Sequence, residues 1–348
     1  MRKNTRQVRV GRVLIGGGAP VSVQSMANTD TLDISATTAQ VRRLKEAGCD
    51  IVRVSIYDEE CAKTIRAIKE SVDIPIVADI HFDYKLAILA AKSGADKLRI
   101  NPGNIGSAAR VRELALCAKD MGIPIRVGAN SGSIKKEFID KYGGVTAEAL
   151  VESALEQVSI LENSGFTDIV VSIKASDVVK TVESYRMAAL KMDYPLHIGV
   201  TEAGFGEQGL IKSSIGIGTL LLEGIGDTLR VSLTGDPVHE VRAGREILRS
   251  IGMLPCGLEL ISCPTCARCK VDLESICRQL YEKTRDITKP LCVAVMGCAV
   301  NGPGEASHAD LGVACGKGEG LIFVRGVQLK KVKENEIVKT LVDIIKSQ

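Results

Sequence analysis

PIVADIHFDYKLAILAAKSGADKLRINPG, residues 75–103, contains one complete period of the pattern that decides the fold. A short β-branched run ends in the polar Asp79 and His81, an amphipathic stretch follows and closes on Gly94, and a second run ends in Arg99 and Asn101. Strand, helix and strand in so short a span form a βαβ unit, whose strands lie parallel. The same rhythm continues in both directions. Before it stand VSVQSM (21–26) and DIVRVSI (50–56); after it come PIRVGAN (124–130), DIVVSIK (168–174), LHIGVTE (196–202) and TLRVSLTGD (228–236). Eight such units in roughly 230 residues match a closed (β/α)₈ TIM barrel. An open doubly wound sheet would carry a glycine-rich phosphate loop after its first strand. Here GGGAP (16–20) precedes that strand, and it reads as the end of an N-terminal hairpin, VRVGRVLIGGG, closing the barrel bottom.

Near residue 253 the pattern changes, with IGMLPCG (251–257) as the expected linker. Strand-like LELIS leads into a cysteine run, and the helical VDLESICRQLYEKTRD follows. Then come strand-like LCVAVMG, a glycine-rich loop NGPGEASHADLGVACGKGEG, strand-like LIFVRG and a final helix ending in VKTLVDIIKSQ. The expectation is an α/β chain: a barrel over 1–252 that binds substrate, then a small α+β domain over 253–348.

Composition narrows the function. The chain has 348 residues, 45% hydrophobic and 25% charged, as in ordinary globular proteins. A net charge of +3, 3% aromatics and no tryptophan argue against a nucleic-acid surface. No apolar run reaches membrane-spanning length, and the basic start MRKNTRQVRV lacks the apolar core of a secretory signal. A cytoplasmic protein without membrane or nucleic-acid partners is expected. Of eleven cysteines, Cys49, Cys61 and Cys117 are scattered and read as small buried or surface side chains; the other eight follow residue 250. In a reducing compartment such a cluster points to metal or redox chemistry rather than disulfides.

TIM barrels keep their chemistry at the C-terminal strand ends. The polar residues there are Arg53, Asp79, His81, Arg99, Asn101, Arg126, Asn130, Ser172, Lys174, Thr201, Glu202, Arg230 and Ser232. A charge in a buried strand costs several kcal/mol unless it is paired or faces a polar cavity. Four arginines and a lysine exceed what Asp79 and Glu202 can neutralise. The expected ligand is therefore strongly anionic, with two or more phosphates held by forked guanidinium contacts. Among these cations Glu202 is suited to moving protons. His81 could shuttle protons or be structural.

CPTCARCK (263–270) places Cys263, Cys266 and Cys269 three apart, with Cys292 and Cys298 further on. Structural zinc takes two paired knuckles; here the second pair is missing and His308 stands alone. An iron–sulfur cluster suits the spacing better, because glycine-rich loops let amides approach the sulfides.

CPTC, GCAVNGPGE (297–305), TEAG (201–204) and GIGDTLRVSLTGDP (224–237) together resemble the bacterial 4-hydroxy-3-methylbut-2-enyl diphosphate synthase family in its two-domain form. The resemblance runs over nearly the whole chain. It implies an oxidoreductase that reductively opens 2-C-methyl-D-erythritol 2,4-cyclodiphosphate in the non-mevalonate isoprenoid pathway. It also implies one 4Fe–4S cluster held by Cys263, Cys266, Cys298 and Glu305, the carboxylate being the harder, exchangeable ligand. The substrate is expected near Arg53, Arg99, Asn101, Arg126, Asn130, Lys174, Arg230 and Ser232, with Asn301 beside the cluster and Glu202 as the acid–base residue. A flavodoxin or ferredoxin donor and a head-to-tail homodimer are implied as well. Cys269 offers a fourth thiolate that would compete with Glu305. A pterin-binding barrel transferase with a zinc-stapled cap is the competing enzyme reading, and a metal-bound nucleic-acid module the one from outside enzymes.

Overall fold

The computed structural model describes residues 2–254, 257–285, 287, 289–300, 304 and 308–347. The chain divides into two compact units, Met1–Met253 and Leu254–Gln348.

The first unit opens with an antiparallel hairpin, β1 (Val8–Val10) and β2 (Val13–Ile15). Eight parallel strands follow: β3 (Ser22–Met26), β4 (Ile51–Ser55), β5 (Ile76–Asp79), β6 (Lys97–Arg99), β7 (Ile125–Asn130), β8 (Ile169–Lys174), β9 (His197–Ile198) and β10 (Thr228–Leu229). Each of the eight sequence runs contains one of them. In the sheet they stand in the order β8-β7-β6-β5-β4-β3-β10-β9. A parallel bridge between Val171 and Leu196 then joins β8 to β9, and the barrel is a ring. Val10 and Ile15 of the hairpin pack against Ile51 and Val77, near the strand N-terminal ends, and seal that end with apolar side chains.

The crossover helices start where the sequence supplies an acceptor. Asp33, Asp58, Asp83, Asp177 and Asp236 each cap a helix by accepting a backbone N–H from its first turn. Such a cap is worth about 1 kcal/mol and fixes where each strand-end loop stops. The strand tips are therefore held between a buried strand and a capped helix.

The second unit is a five-stranded sheet in sequential order: β11 (Leu258–Ser262), β12 (Leu291–Met296), β13 (Leu311–Gly316), β14 (Glu319–Val324) and β15 (Val327–Lys333). The first three strands are parallel and the last two antiparallel. Helices Leu273–Lys283 and Ile337–Ser347 cover one face, with a core that includes Ile276, Leu280, Val293, Val313, Ile322 and Leu341. Two strands depart from the sequence expectation. LGVACG, assigned to a glycine-rich loop, is β13, because its Leu311, Val313 and Cys315 alternate into the core. VQLKKVK forms β15, an edge strand in which Val332 alone is buried, so it carries no apolar alternation to read.

Candidate functional site

Residues two apart on each barrel strand face the interior, and the sequence has filled those positions with charge. Asp79, last in β5 and 3% exposed, takes Arg53 Nε at 3.4 Å and Arg99 Nη1 at 3.2 Å. Burial pushes the Asp79 carboxyl up, but the summed fields of Arg53, Arg99 and Arg126 outweigh it and hold it below the usual carboxylate range. Arg53 is drawn down to about 10 by burial and by Arg230 and Arg99, against the pull of Asp79. It also donates from Nη2 to Met26 Sδ at 2.8 Å.

Arg230, just past β10, pairs with Glu240 through Nε and Nη2, both at 3.4 Å. Glu240 sits in the first turn of helix Pro237–Ser250 and also accepts from Ser25 Oγ at 3.2 Å and Leu233 N at 3.0 Å. The sequence reading missed this carboxylate, since a glutamate opening a helix reads as a solvated residue favoured by the helix dipole. Met26, Arg230 and Glu240 line a hollow of about 430 Å³ that also meets Asn28, Ser55 and Pro237.

That leaves Arg126 and Lys174. Arg126 is the register neighbour of Arg99, is 2% exposed, and has no hydrogen-bond partner at Nε or Nη1 among the described residues. Burial, then Arg53 and Arg99, pull it well below the usual arginine range. A guanidinium keeps its proton, so this pull is an electrostatic cost stored in the fold. Lys174 ends β8, is 7% exposed, and is pulled down by burial, Arg126 and Arg230. Residue 199 beside it is glycine, since a Cβ there would stand 2.3 Å from the Arg230 carbonyl oxygen and 3.2 Å from Lys174 Nζ.

The remaining strand-end residues are more varied. Asn101 is buried and accepts from Gly103 N at 3.2 Å, capping the short helix Pro102–Ile105. Asn130 lies beside Lys174 in register, Ser172 is buried on the same strand, and Ser232 and Thr201 are half-buried past their strands. Glu202 is exposed and has φ of +50°, a left-handed backbone that costs about 1–3 kcal/mol in a non-glycine residue and concentrates at functional sites. His81, in the loop after β5, is exposed as a residue, yet partial desolvation of its ring, with Arg99 and Arg53 nearby, draws the imidazole down despite Asp79. Besides Glu240, the sequence reading missed Lys97, His197 and Gln24, all buried below the mouth. Period-two counting inward from Arg99, Gly199 and Met26 would have found them.

In the second unit, Cys263 follows β11 and Cys298 follows β12, and these strands are parallel neighbours with Ser262 opposite Val295. Cys263 Sγ accepts the Gly297 N–H at 3.3 Å. The CPTCARCK loop folds back on the same step, with Lys270 N donating to the Gly297 oxygen at 3.1 Å and Cys269 N to the Cys266 oxygen at 2.9 Å. Cys269 Sγ donates to the Val271 oxygen at 3.3 Å. The described cysteines are free thiols, and among the described residues no three His, Cys, Asp or Glu side chains converge as metal ligands. Asn301 and Glu305 lie outside the described residues, as does Cys256. The donor set nevertheless fits an iron–sulfur cluster: soft sulfurs stand on adjacent parallel strand ends, and one already accepts the kind of amide bond that cluster sulfurs receive.

A barrel whose mouth gathers uncompensated cations, joined to a cysteine-bearing α+β unit, defines a TIM-barrel enzyme for a polyanionic ligand. The chain belongs to the GcpE family. The GcpE TIM-barrel domain model matches residues 5–245 and the GcpE protein C-terminal domain model matches residues 259–347. The 4-hydroxy-3-methylbut-2-en-1-yl diphosphate synthase (flavodoxin) of Caldanaerobacter subterraneus subsp. tengcongensis is 57% identical over 98% of this chain and 96% of that protein. Its counterpart in Clostridium perfringens is 55% identical over 99% of both chains. Among solved structures, 3-dehydroquinate dehydratase from Geobacillus kaustophilus superposes with TM-score 0.52 at 15% identity, over 72% of this chain and 100% of that one. Dihydropteroate synthase from Xanthomonas albilineans gives 0.50 at 13%, over 70% and 96%. At such identity the likeness is of fold alone, and the pterin-transferase reading has nothing further behind it. Among the described residues no helix is long and apolar enough to cross a membrane.

Proposed function

We infer that this protein is a 4-hydroxy-3-methylbut-2-en-1-yl diphosphate synthase of the non-mevalonate isoprenoid pathway. It converts 2-C-methyl-D-erythritol 2,4-cyclodiphosphate, two electrons and a proton into (E)-4-hydroxy-3-methylbut-2-enyl diphosphate and water. Family membership supports the reaction. The observation that carries the site is the pair of buried cations, Arg126 and Lys174, for which Asp79 and Glu240 supply no ion pair. A cyclic diphosphate brings the two negative charges this site lacks.

In this reading residues 1–252 bind substrate and 253–348 carry the redox centre. Arg126, Lys174, Arg53, Arg99 and Arg230 grip the phosphates and stabilise the charge that grows on the diphosphate as its ring C–O bond breaks. Asn101, Asn130 and Ser232 orient the ligand within that grip. Glu202, on its strained step, delivers the proton to the departing oxygen. Cys263, Cys266, Cys298 and Glu305 would hold one 4Fe–4S cluster, which supplies low-potential electrons one at a time when bound, with Asn301 beside it. Cys269 is a neighbouring thiol. A flavodoxin recharges the centre, as the names of the relatives indicate for those proteins; a ferredoxin is the chemically equivalent donor. A head-to-tail homodimer and a cytoplasmic location belong to the same reading.

The test is anaerobic. Purified or reconstituted protein should hold about four iron and four sulfide per chain and convert the cyclodiphosphate with reduced flavodoxin. Glu305→Ala should change the visible spectrum. An unaltered cluster in that variant would hand the fourth position to Cys269. A colourless zinc protein would end the reductase reading.

A further inference from the structure

Beneath the strand-end cations the barrel has a second polar layer that the reaction does not use. Ser22, Thr228 and His197 stand in one register row across β3, β10 and β9, and all three are at most 4% exposed. From β6, Lys97, fully buried, crosses the interior to give Gln24 Oε1 a hydrogen bond of 3.2 Å, its one partner among the described residues. Gln24 Nε2, Ser22 Oγ, Thr228 Oγ1 and both ring nitrogens of His197 have no partner there. TIM barrels ordinarily fill these layers with branched aliphatic side chains. Here Ser22, Gln24, Lys97, His197 and Thr228 make the layer polar.

The charges around Lys97 come from almost every strand. Arg53 on β4, Arg126 on β7 and Arg230 after β10 are cations, as is Arg99 on its own strand. Lys174 on β8 is pushed down as Lys97 is, but with the field of Glu240 supporting its charge, which Lys97 lacks. His197 on β9 is neutral, and β3 offers the uncharged Ser22 and Gln24. Asp79 on β5 is already shared by Arg53 and Arg99, and Glu240 is taken by Arg230. Burial, then Arg126 and Arg53, push the Lys97 ammonium well below the usual lysine range. Burial, then Lys174, Arg126 and Lys97, do the same to His197.

We propose that the barrel takes up a proton from solvent when its polyanionic ligand binds, and that Lys97 receives it. Lys97 is thus a positioning residue: its neutral amine becomes an ammonium under the ligand and completes the positive floor only when the ligand is present. The proposal rests on reading that ligand as the cyclic diphosphate. In that molecule each phosphorus has two bridging oxygens and one strongly acidic hydroxyl. It arrives with two fixed negative charges and nothing that titrates near neutrality, so any proton exchanged on binding belongs to the protein. Two anionic charges entering a poorly screened interior favour the charged form of a nearby amine, and linkage requires proton uptake to accompany binding.

The test is isothermal titration of the oxidised holoenzyme with the cyclodiphosphate, without reductant, in Tris and in PIPES at one pH near neutrality. The two heats should differ in the direction of proton uptake, and affinity should rise as pH falls, by up to about tenfold per pH unit for one proton. Lys97→Met should still bind while losing most of the uptake, and Lys97→Arg, which cannot release its proton, should lose it too. The second variant covers the case in which the first does not fold. His197→Gln should keep the uptake. Buffer-independent heat in the wild type, or full uptake in both Lys97 variants, overturns the proposal. Uptake lost only in His197→Gln overturns the assignment to Lys97. If the wild type binds no cyclodiphosphate, the functional reading falls and this inference falls with it.

Discussion

Arg99 and Arg126 are register neighbours on adjacent parallel strands, yet only Arg99 has a carboxylate, Asp79 at 3.2 Å. Equivalent positions in the sheet thus have opposite energetics. Arg99 shares that carboxylate with Arg53, whereas Arg126 is desolvated and, among the described residues, has no partner at Nε and Nη1.

Replacing Arg126 with methionine should separate stability from binding. Removing an uncompensated buried charge for an apolar side chain of similar length should stabilise the chain by roughly 1–4 kcal/mol. Loss of charge-assisted hydrogen bonds to phosphate should weaken cyclodiphosphate binding at least about tenfold. Thermal denaturation and calorimetric titration read the two effects. A variant that is less stable than the wild type would show that Arg126 has a partner in the ligand-free state.

Asp79→Asn should act in the opposite sense, because it strands Arg53 and Arg99. Breaking a buried pair typically costs about 3–5 kcal/mol. The pH dependence follows from the lowered carboxyl: the stability it contributes is complete above its unfolded value near 4 and is lost as pH falls through the lower folded value. Denaturant titrations at a series of acidic pH values should show that limb in the wild type and a shallower one in Asp79→Asn.

Glu202→Gln tests proton delivery. The substitution keeps size and backbone while removing the acid, so kcat should fall about 10²–10⁴-fold and the affinity for the cyclodiphosphate should change little. A kcat near that of the wild type would move the proton donor elsewhere.

Gly297→Ala addresses the cysteine unit. A Cβ at that position would stand 2.5 Å from Cys269 Sγ, on the residue whose N–H bonds Cys263. Iron bound per chain should fall while the far-ultraviolet circular dichroism stays unchanged. Adding Cys269→Ala removes the clashing sulfur and should restore the iron. If the double variant stays iron-poor, Cys269 is itself a ligand.

How much of this was legible in the sequence depended on which physical signal each element leaves. The eight barrel strands announce themselves because a strand buried on both faces is a continuous β-branched run, and any charge inside it is conspicuous. Arg53, Arg99, Arg126 and Arg230 were visible for that reason. Glu240 was not, because its role depends on a helix folding back across the end of β10, which no local pattern encodes. Lys97 and His197 sit at the beginnings of their runs, where a polar residue reads as loop; only strand register shows that they face inward. In the second unit, β13 was hidden by its glycines, and β15, buried only at Val332, has no apolar alternation.

The hairpin at the start of the chain has a consequence for traffic. With Val10 and Ile15 fully buried against Ile51 and Val77, the hairpin closes the N-terminal end of the barrel. Product cannot drain out of the far end while the next substrate enters, so each must wait for the other at the same opening. If the arginines grip the phosphates as proposed, the diphosphate product should compete directly with incoming cyclodiphosphate, and its departure is a natural candidate for the slow step of the cycle.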